Sequence, residues 1–296
     1  MGQASVVERL TSLRQHQVDG HRSPHKPLLV LLALGQLSTT GSSTLDWSAV
    51  EVRLGALLAE FGSPTSTGAS AAAYPFTRLR ADGVWQLSRD VPNDNVGQLR
   101  EAPITGEFPP DVEKHLLASE SDLVSVARQL VESQFPFTVA PDVLAACGLD
   151  PDAVLGASPA LAPATARKRD PVWRRQIVEA WDRSCAFCGF DGSAGGAPVG
   201  IEAAHIRWFN FGGPDALDNG LALCSLHHKL LDRGVLGFRD PETVTVSSTY
   251  SASSEQGRRV YDLHEHKLRA RPGTRMPAQE HVDWHRQEVF KGAPLR

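Results

Sequence analysis

Two pairs of metal-seeking residues stand in the C-terminal half of the chain, Cys185-Ala-Phe-Cys188 and Cys224-Ser-Leu-His227, each with a two-residue gap. Thiolate and imidazole are donors that Zn²⁺ prefers, and four of them complete a closed tetrahedral structural site. Gly189, directly after the first pair, suits the tight turn of such a knuckle. Ordinary buried cysteines are common, but two pairs at this spacing favour a metal. Cys147 stands alone and reads as a small core residue.

A second set of residues lies around the second pair. His205 sits in a short, mostly apolar segment, Ile201 to Ile206, that reads as a strand. Asn219 follows 14 residues later, after a Gly-Gly-Pro loop, and His228 nine residues after that. If the chain is helical from Cys224 onward, His227 and His228 project about 100° apart. One can then hold the structural zinc while the other faces a separate site. Asp232, one turn beyond His228, would share its face as a ligand or orienter; its plainer alternative is an ion pair with Lys229 or Arg233 in solvent. Glu202, on the same strand face as Ala204, is another candidate.

Cys185, Cys188, His205, Asn219, Cys224, His227 and His228 together resemble the signature of HNH endonucleases. The resemblance covers roughly residues 168 to 290, with a closing segment Val282-Asp-Trp-His-Arg-Gln-Glu-Val-Phe290 similar to the tail of such domains. It implies a ββα-metal fold in which His205 is the general base that activates water against a phosphodiester. It further implies that Asn219 pins the loop and orients that base, and that His228 binds a catalytic divalent ion, Mg²⁺ or Mn²⁺. Asp232, from its place on the helix face and not from the resemblance, is the expected further ligand of that ion. A neutral imidazole can take a water proton near pH 7, and a divalent ion offsets charge developing on phosphate oxygens. One position departs from the pattern: Ala204 stands where Asp or His often supplies a metal ligand.

The N-terminal half carries His21-Arg22-Ser-Pro-His25-Lys26-Pro27 before an apolar run, then Tyr74-Pro75-Phe76 and Asp82-Gly83-x-Trp85. This arrangement, over roughly residues 1 to 155, resembles the sulfur-binding domain that is fused to HNH nucleases restricting phosphorothioate-modified DNA. By that resemblance Tyr74 and Pro75 line an apolar cup for sulfur, His21, Arg22 and Arg100 lie against bases and backbone, and Lys26 neutralises phosphate charge. Sulfur is larger and less hydrated than the oxygen it replaces, so an apolar cup favours it and strands the oxygen. Arg22 could read guanine through two parallel donors. Arg78 departs from the pattern, since the position three after the proline is often small. Read without the resemblance, Tyr74-Pro75 is a turn before a strand, and His25-Lys26-Pro27 is a helix start with solvated charges.

The elements that must position these residues form an α+β chain. Val6, Val7, Leu10 and Leu13 predict a first helix ending near His16. HKPLLVLLALGQL predicts a second, apolar nearly all round and therefore central. Ser48–Phe61, Glu113–Leu117 and Leu123–Val131 read as further helices, and YPFTRLRADGVWQL as a β-hairpin around Ala81-Asp82-Gly83. The expected fold is thus an N-terminal helical domain with a small β-hairpin or sheet, then a ββα-metal domain with structural zinc. The Ala- and Pro-rich stretch beginning at Pro151 reads as a semi-extended linker. The domain boundaries fall at 1–155, 156–168 (the linker) and 169–296.

Length and composition narrow the function. The chain has 296 residues and a formal net charge of −4. Residues 1–160 hold 11 Lys and Arg against 18 Asp and Glu, and residues 161–296 hold 19 against 16. A basic coat protein and a low-complexity chain are excluded, as is a disulfide framework on four cysteines. The longest apolar run, Leu28 to Leu34, is far short of a membrane span, and no secretory signal is visible, so a cytoplasmic protein is expected. An acidic reader domain should bind unmodified duplex poorly, while Arg167, Lys168, Arg169, Arg174 and Arg175 could hold DNA beside the nuclease site. The expected partner is double-stranded DNA carrying phosphorothioate, with no membrane; a homodimer is allowed for. Two alternatives stand beside this reading. One is a methylcytosine-dependent HNH endonuclease, for which Tyr74, Phe76 and Trp85 are the available cage. The other is a non-cleaving DNA-binding protein with a degenerate HNH fold.

Overall fold

A computed structural model describes residues 5–14, 22–64, 68–156 and 171–295, which divide into two compact units between Ala166 and Arg167. The first contains α1 (Val6–Thr11), α2 (His25–Thr40), β1 (Leu45–Asp46), α3 (Trp47–Phe61), α4 (Ala69–Arg78), β2 (Gln86–Leu87), α5 (Val96–Glu101), β3 (Thr105–Glu107), α6 (Pro110–Ala118), α7 (Glu120–Gln134), α8 (Ala140–Ala146) and α9 (Pro151–Leu155). Helix α2 is buried from Lys26 through Gly35 and packs on α3, α4 and α7. Its lack of a polar face follows from being covered all round.

Helix α1 begins with a capping box between Ser5 and Glu8 but stops at Thr11, short of the predicted end. Leu13 still reaches the core from beyond the helix, which is why its spacing to Leu10 looks helical. His16 lies outside the described residues. So do His21, the three basic residues 167–169 and the linker from residue 157 onward. The beginning of the stretch read as semi-extended is the short helix α9, capped by the Asp150 side chain with Pro151 in its first turn.

The hairpin expected at Tyr74–Leu87 is not formed. The run Ala69-Ser-Ala-Ala-Ala73 is strongly helix-forming, and α4 continues through Pro75 to Arg78. A 3₁₀ turn, Leu79–Asp82, follows and ends at Gly83, whose φ of 70° is left-handed. The Asp-Gly pair therefore stops a helix instead of reversing a hairpin. Strand β2 pairs with the distant β3 in an antiparallel sheet of order β1-β3-β2. Trp47, Phe76, Trp85 and Phe108 form a chain of aromatic contacts at centroid separations of 5.2, 5.9 and 5.9 Å. Phe76 and Trp85 belong to this core, so they cannot form a cage for a flipped base.

The second unit is α10 (Pro171–Ala180), three antiparallel hairpins and three more helices. The hairpins are β4 (Ser193–Ala194) with β5 (Ala197–Pro198), β6 (Ile201–His205) with β7 (Gly220–Cys224), and β8 (Leu236–Asp240) with β9 (Thr243–Val246). The helices are α11 (Ser225–Asp232), α12 (Glu255–Arg258) and α13 (Gln279–Glu288). β6, β7 and α11 make the expected ββα-like region. β7 contacts both α10 and α11, and its first four residues are buried, so it reads as an unbroken apolar run. No described helix is long and apolar enough to cross a membrane.

Candidate functional site

The knuckle Cys185–Cys188 lies against β7, with the Ala186 N–H donating to the Ala222 carbonyl at 2.8 Å. Cys224 ends β7 and caps α11, and His227 follows one turn into that helix. The donor atoms of Cys185, Cys188, Cys224 and His227 all lie within 4.8 Å of one another. His227 Nδ1 is 3.4 Å from the Cys185 sulfur and 3.3 Å from that of Cys224. Hydrogen bonds from Cys188 and Cys224 push the Cys185 thiol far below its usual range, which favours the thiolate that binds metal. These four residues form a Cys3His metal-binding cluster, and among the described residues it is the one group of three or more such donors clustered this tightly.

His228 points the other way. Its Nδ1 is 2.7 Å from Glu202 on β6, and its Nε2 is 3.3 Å from Asp232 in the next turn of α11. The hydrogen bond from His228 is the main reason the Glu202 carboxyl is held below its ordinary value, against the opposing pull of partial burial. Asp232 is 4% exposed and contacts His228, so the reading of a solvated Asp232 does not describe its environment.

His205, at the end of β6, pairs with Gly220 in the ladder. Its ring stacks on Trp173 of α10 with centroids 3.8 Å apart and planes 17° apart. Its Nε2 is 2.8 Å from Asp215 in the loop that precedes β7. Asn219 is fully buried at the end of this loop. Its side chain accepts from the Arg207 N–H at 2.8 Å and donates to the carbonyls of Arg207 and Pro214, both at 3.0 Å. Gly213 permits this closure, since a Cβ there would meet the Arg207 carbonyl oxygen at 1.9 Å.

Two clefts are lined by basic side chains. In the second unit, Arg174, Arg175 and Arg183 line a space of about 390 Å³. Arg174 also reaches the Ile201 carbonyl at 3.4 Å. In the first unit, Arg14, Lys26, Tyr74, Thr77, Arg78 and Arg80 are among the residues lining a space of about 540 Å³. Tyr74 meets the His25 ring edge-on at 5.8 Å and carries the Arg78 guanidinium over its face at 5.3 Å.

Residues 3–152 match the family model described as ScoMcrA-like, DNA sulfur-binding domain, which covers half of the chain. The chain belongs to this family. Residues 185–239 match the model of an HNH endonuclease, so a DNA sulfur-binding domain is joined to an HNH nuclease domain. Among solved structures, the sulfur-binding domain of ScoMcrA complexed with phosphorothioated DNA is 18% identical, with a TM-score of 0.43, covering 49% of this chain and 99% of that one. The corresponding domain of SprMcrA, also complexed with phosphorothioated DNA, is 23% identical with a TM-score of 0.40, covering 48% and 91%. The Type IV phosphorothioation-dependent restriction endonuclease ScoMcrA is 12% identical with a TM-score of 0.40, covering 87% and 97%. No curated protein matches. The structural likenesses are distant, and the assignment rests on the family models.

Within the sulfur-binding domain the structure brings Lys26 and Tyr74 to one cleft, while other expected contacts lie elsewhere. Lys26 is buried, ion-paired with Asp82, and donates to the Arg14 carbonyl at 2.8 Å. Pro75 is buried in α4. Arg22 is turned inward, 5% exposed, donating to the Phe61 carbonyl at 2.6 Å and lying over the Phe135 ring. Arg100 pairs with Glu51 and is not among the residues that line the cleft. In the nuclease domain, sequence reasoning missed Trp173 and Asp215. The only trace of the latter is a lone acid in the loop Gly212-Gly-Pro-Asp215.

Proposed function

We propose that the chain is a modification-dependent DNA endonuclease, reading phosphorothioated duplex with its first domain and hydrolysing phosphodiester bonds with its second. The observation that carries the catalytic part is the pairing of His228 Nε2 with Asp232 at 3.3 Å, on the same ββα unit as the stacked His205. With Nδ1 donating to Glu202, a neutral His228 turns a lone pair towards the Asp232 carboxylate. Two acceptors facing at that distance call for a proton or a cation between them. The spacing suits two neighbouring ligands of one octahedral ion, for which about 3 Å follows from metal–ligand bonds near 2.1 Å. Mg²⁺ or Mn²⁺ is thus the proposed occupant, with water completing its shell, and Glu202 fixes the ring that binds it. Such an ion would neutralise charge on the attacked phosphate. His205 would take the proton from the attacking water, and Asn219 would hold the loop beside it.

Zinc is the proposed ion of the Cys3His cluster. Bonds of about 2.3 Å to sulfur and 2.0 Å to nitrogen place tetrahedral donors about 3.5–3.8 Å apart, close to the observed 3.3 and 3.4 Å. Its role is to tie the knuckle to α11 and so to fix His228.

Tyr74 is the proposed apolar wall for sulfur, with Lys26 beside it and Pro75 next to it in α4. His21 and Arg100 are proposed contacts to bases and backbone, whereas Arg22, turned inward, is not a proposed DNA contact. Arg174, Arg175 and Arg183 form no ion pair among the described residues, and they are proposed to take backbone phosphates near Ile201, at the start of β6. Incubation of matched plain, cytosine-methylated and phosphorothioated duplexes with Mg²⁺ or Mn²⁺ tests the whole reading. Cutting of the phosphorothioated duplex alone supports it. Preference for the methylated duplex, or binding with no cutting, would replace it with one of the alternatives.

A further inference from the structure

The His205 imidazole is fixed on two sides by residues that the HNH resemblance did not supply. Trp173 covers one face, and Asp215 meets Nε2 at 2.8 Å. Both the ring and the carboxylate are largely shielded, with side-chain exposures of 11% and 17%. The loop segment that carries Asp215 is pinned on either side. The Pro214 carbonyl accepts from Asn219 at 3.0 Å, and the Ala216 carbonyl accepts from the Trp173 indole at 3.0 Å. Trp173 therefore sets both the plane of the imidazole and the position of its carboxylate. Asn219 holds the backbone on the other side, at the Pro214 carbonyl that precedes Asp215.

We infer that Asp215 is the positioning residue for the general base, an inference that rests on the proposed phosphodiester hydrolysis. An ionised carboxylate can only accept hydrogen bonds. Opposite Asp215, a neutral His205 must carry its proton on Nε2, which leaves Nδ1 as the nitrogen able to take a proton. As the water oxygen bonds to phosphorus and the bond from phosphorus to the leaving oxygen breaks, the water proton passes to Nδ1. The leaving oxygen takes a proton from solvent, and the imidazolium later returns its own. The Asp215 charge stabilises that imidazolium while it exists, as a buried carboxylate does behind the histidine of a serine-protease triad.

Asparagine tests this because it keeps the shape of aspartate and adds an N–H. In Asp215→Asn the amide can donate to Nε2, which moves the imidazole proton to Nδ1 and blocks the base. The expected result on phosphorothioated duplex is a kcat lower by about 100-fold, with KM within about threefold and an unchanged melting temperature. Long-range ¹H–¹⁵N NMR should show the His205 proton on Nε2 in the native chain and on Nδ1 in the variant. A purely structural Asp215 would tolerate the isosteric amide. Near-native kcat in a folded Asp215→Asn chain overturns the inference, as does a native chain with the proton on Nδ1. The native tautomer remains decisive if the variant fails to fold. A native chain that cuts no duplex would instead sink the proposed function, which separates the two failures.

Discussion

Trp173 lies flat against His205 and, through its indole N–H, holds the Ala216 carbonyl at 3.0 Å. One side chain of α10 thus links the start of the nuclease domain to its proposed base. Trp173→Phe keeps an aromatic face but loses the hydrogen bond. It should lower kcat by about 10-fold, roughly the 1.4 kcal/mol of one hydrogen bond. Trp173→Ala should also destabilise the domain by about 3–5 kcal/mol. Single-turnover cleavage together with thermal melting separates the two effects; equal kcat in all three chains would show that the stack does not serve the base.

His205→Ala should remove cleavage, by about 10²- to 10⁴-fold, while affinity for modified DNA stays within about twofold. Anisotropy titration beside a cleavage gel checks this. A variant that cuts at the native rate means that another group takes the water proton.

The Cys3His cluster should hold about one zinc per chain, measurable by elemental analysis of the purified protein. Cys185→Ser or Cys224→Ser should release it and unfold the second unit, while the melting transition of the first unit persists. A zinc-free chain with a cooperatively folded nuclease domain would contradict the assignment.

Burial pushes the Cys147 thiol up to about 12 from an ordinary 9.0, with Arg53 opposing. A raised value stabilises the fold while the thiol is protonated in both states. That contribution is complete below pH 9.0 and is lost as pH rises towards about 12. The first unit should therefore melt at lower temperature at pH 10.5 than at pH 8, and Cys147→Ala should weaken the dependence. The carbonyl of this same residue abuts Gly35 of α2, where a Cβ would lie 1.9 Å from its oxygen. Gly35→Ala should destabilise the first unit by about 1–3 kcal/mol, read from its melting temperature.

The metal donors were legible because chemistry restricts both residue type and spacing. That His227 and His228 serve separate sites followed from the turn of about 100° between consecutive helical residues. Helix α2 was legible from its all-round apolar character. The segment Ala69–Leu87 was not, since Tyr-Pro and Asp-Gly are local turn signals. Here the Ala-rich helix and the burial of Phe76 against Trp47 and Trp85 prevail over them. Nor could the sequence show that Lys26 is paired with Asp82, 56 residues away, or that Asp215 meets His205. Such contacts depend on packing between segments that local patterns do not relate.

The most direct test of the central claim is the ratio of affinities of the His205→Ala chain for a phosphorothioated duplex and its plain counterpart of identical sequence. This variant should hold DNA without cutting it. Transfer of one sulfur-sized apolar surface onto Tyr74 corresponds to about 1–2 kcal/mol, so the ratio should be about tenfold or more. It should fall towards one in a folded chain that also carries Tyr74→Ala. Equal affinities for the two duplexes in the parent variant would contradict the account.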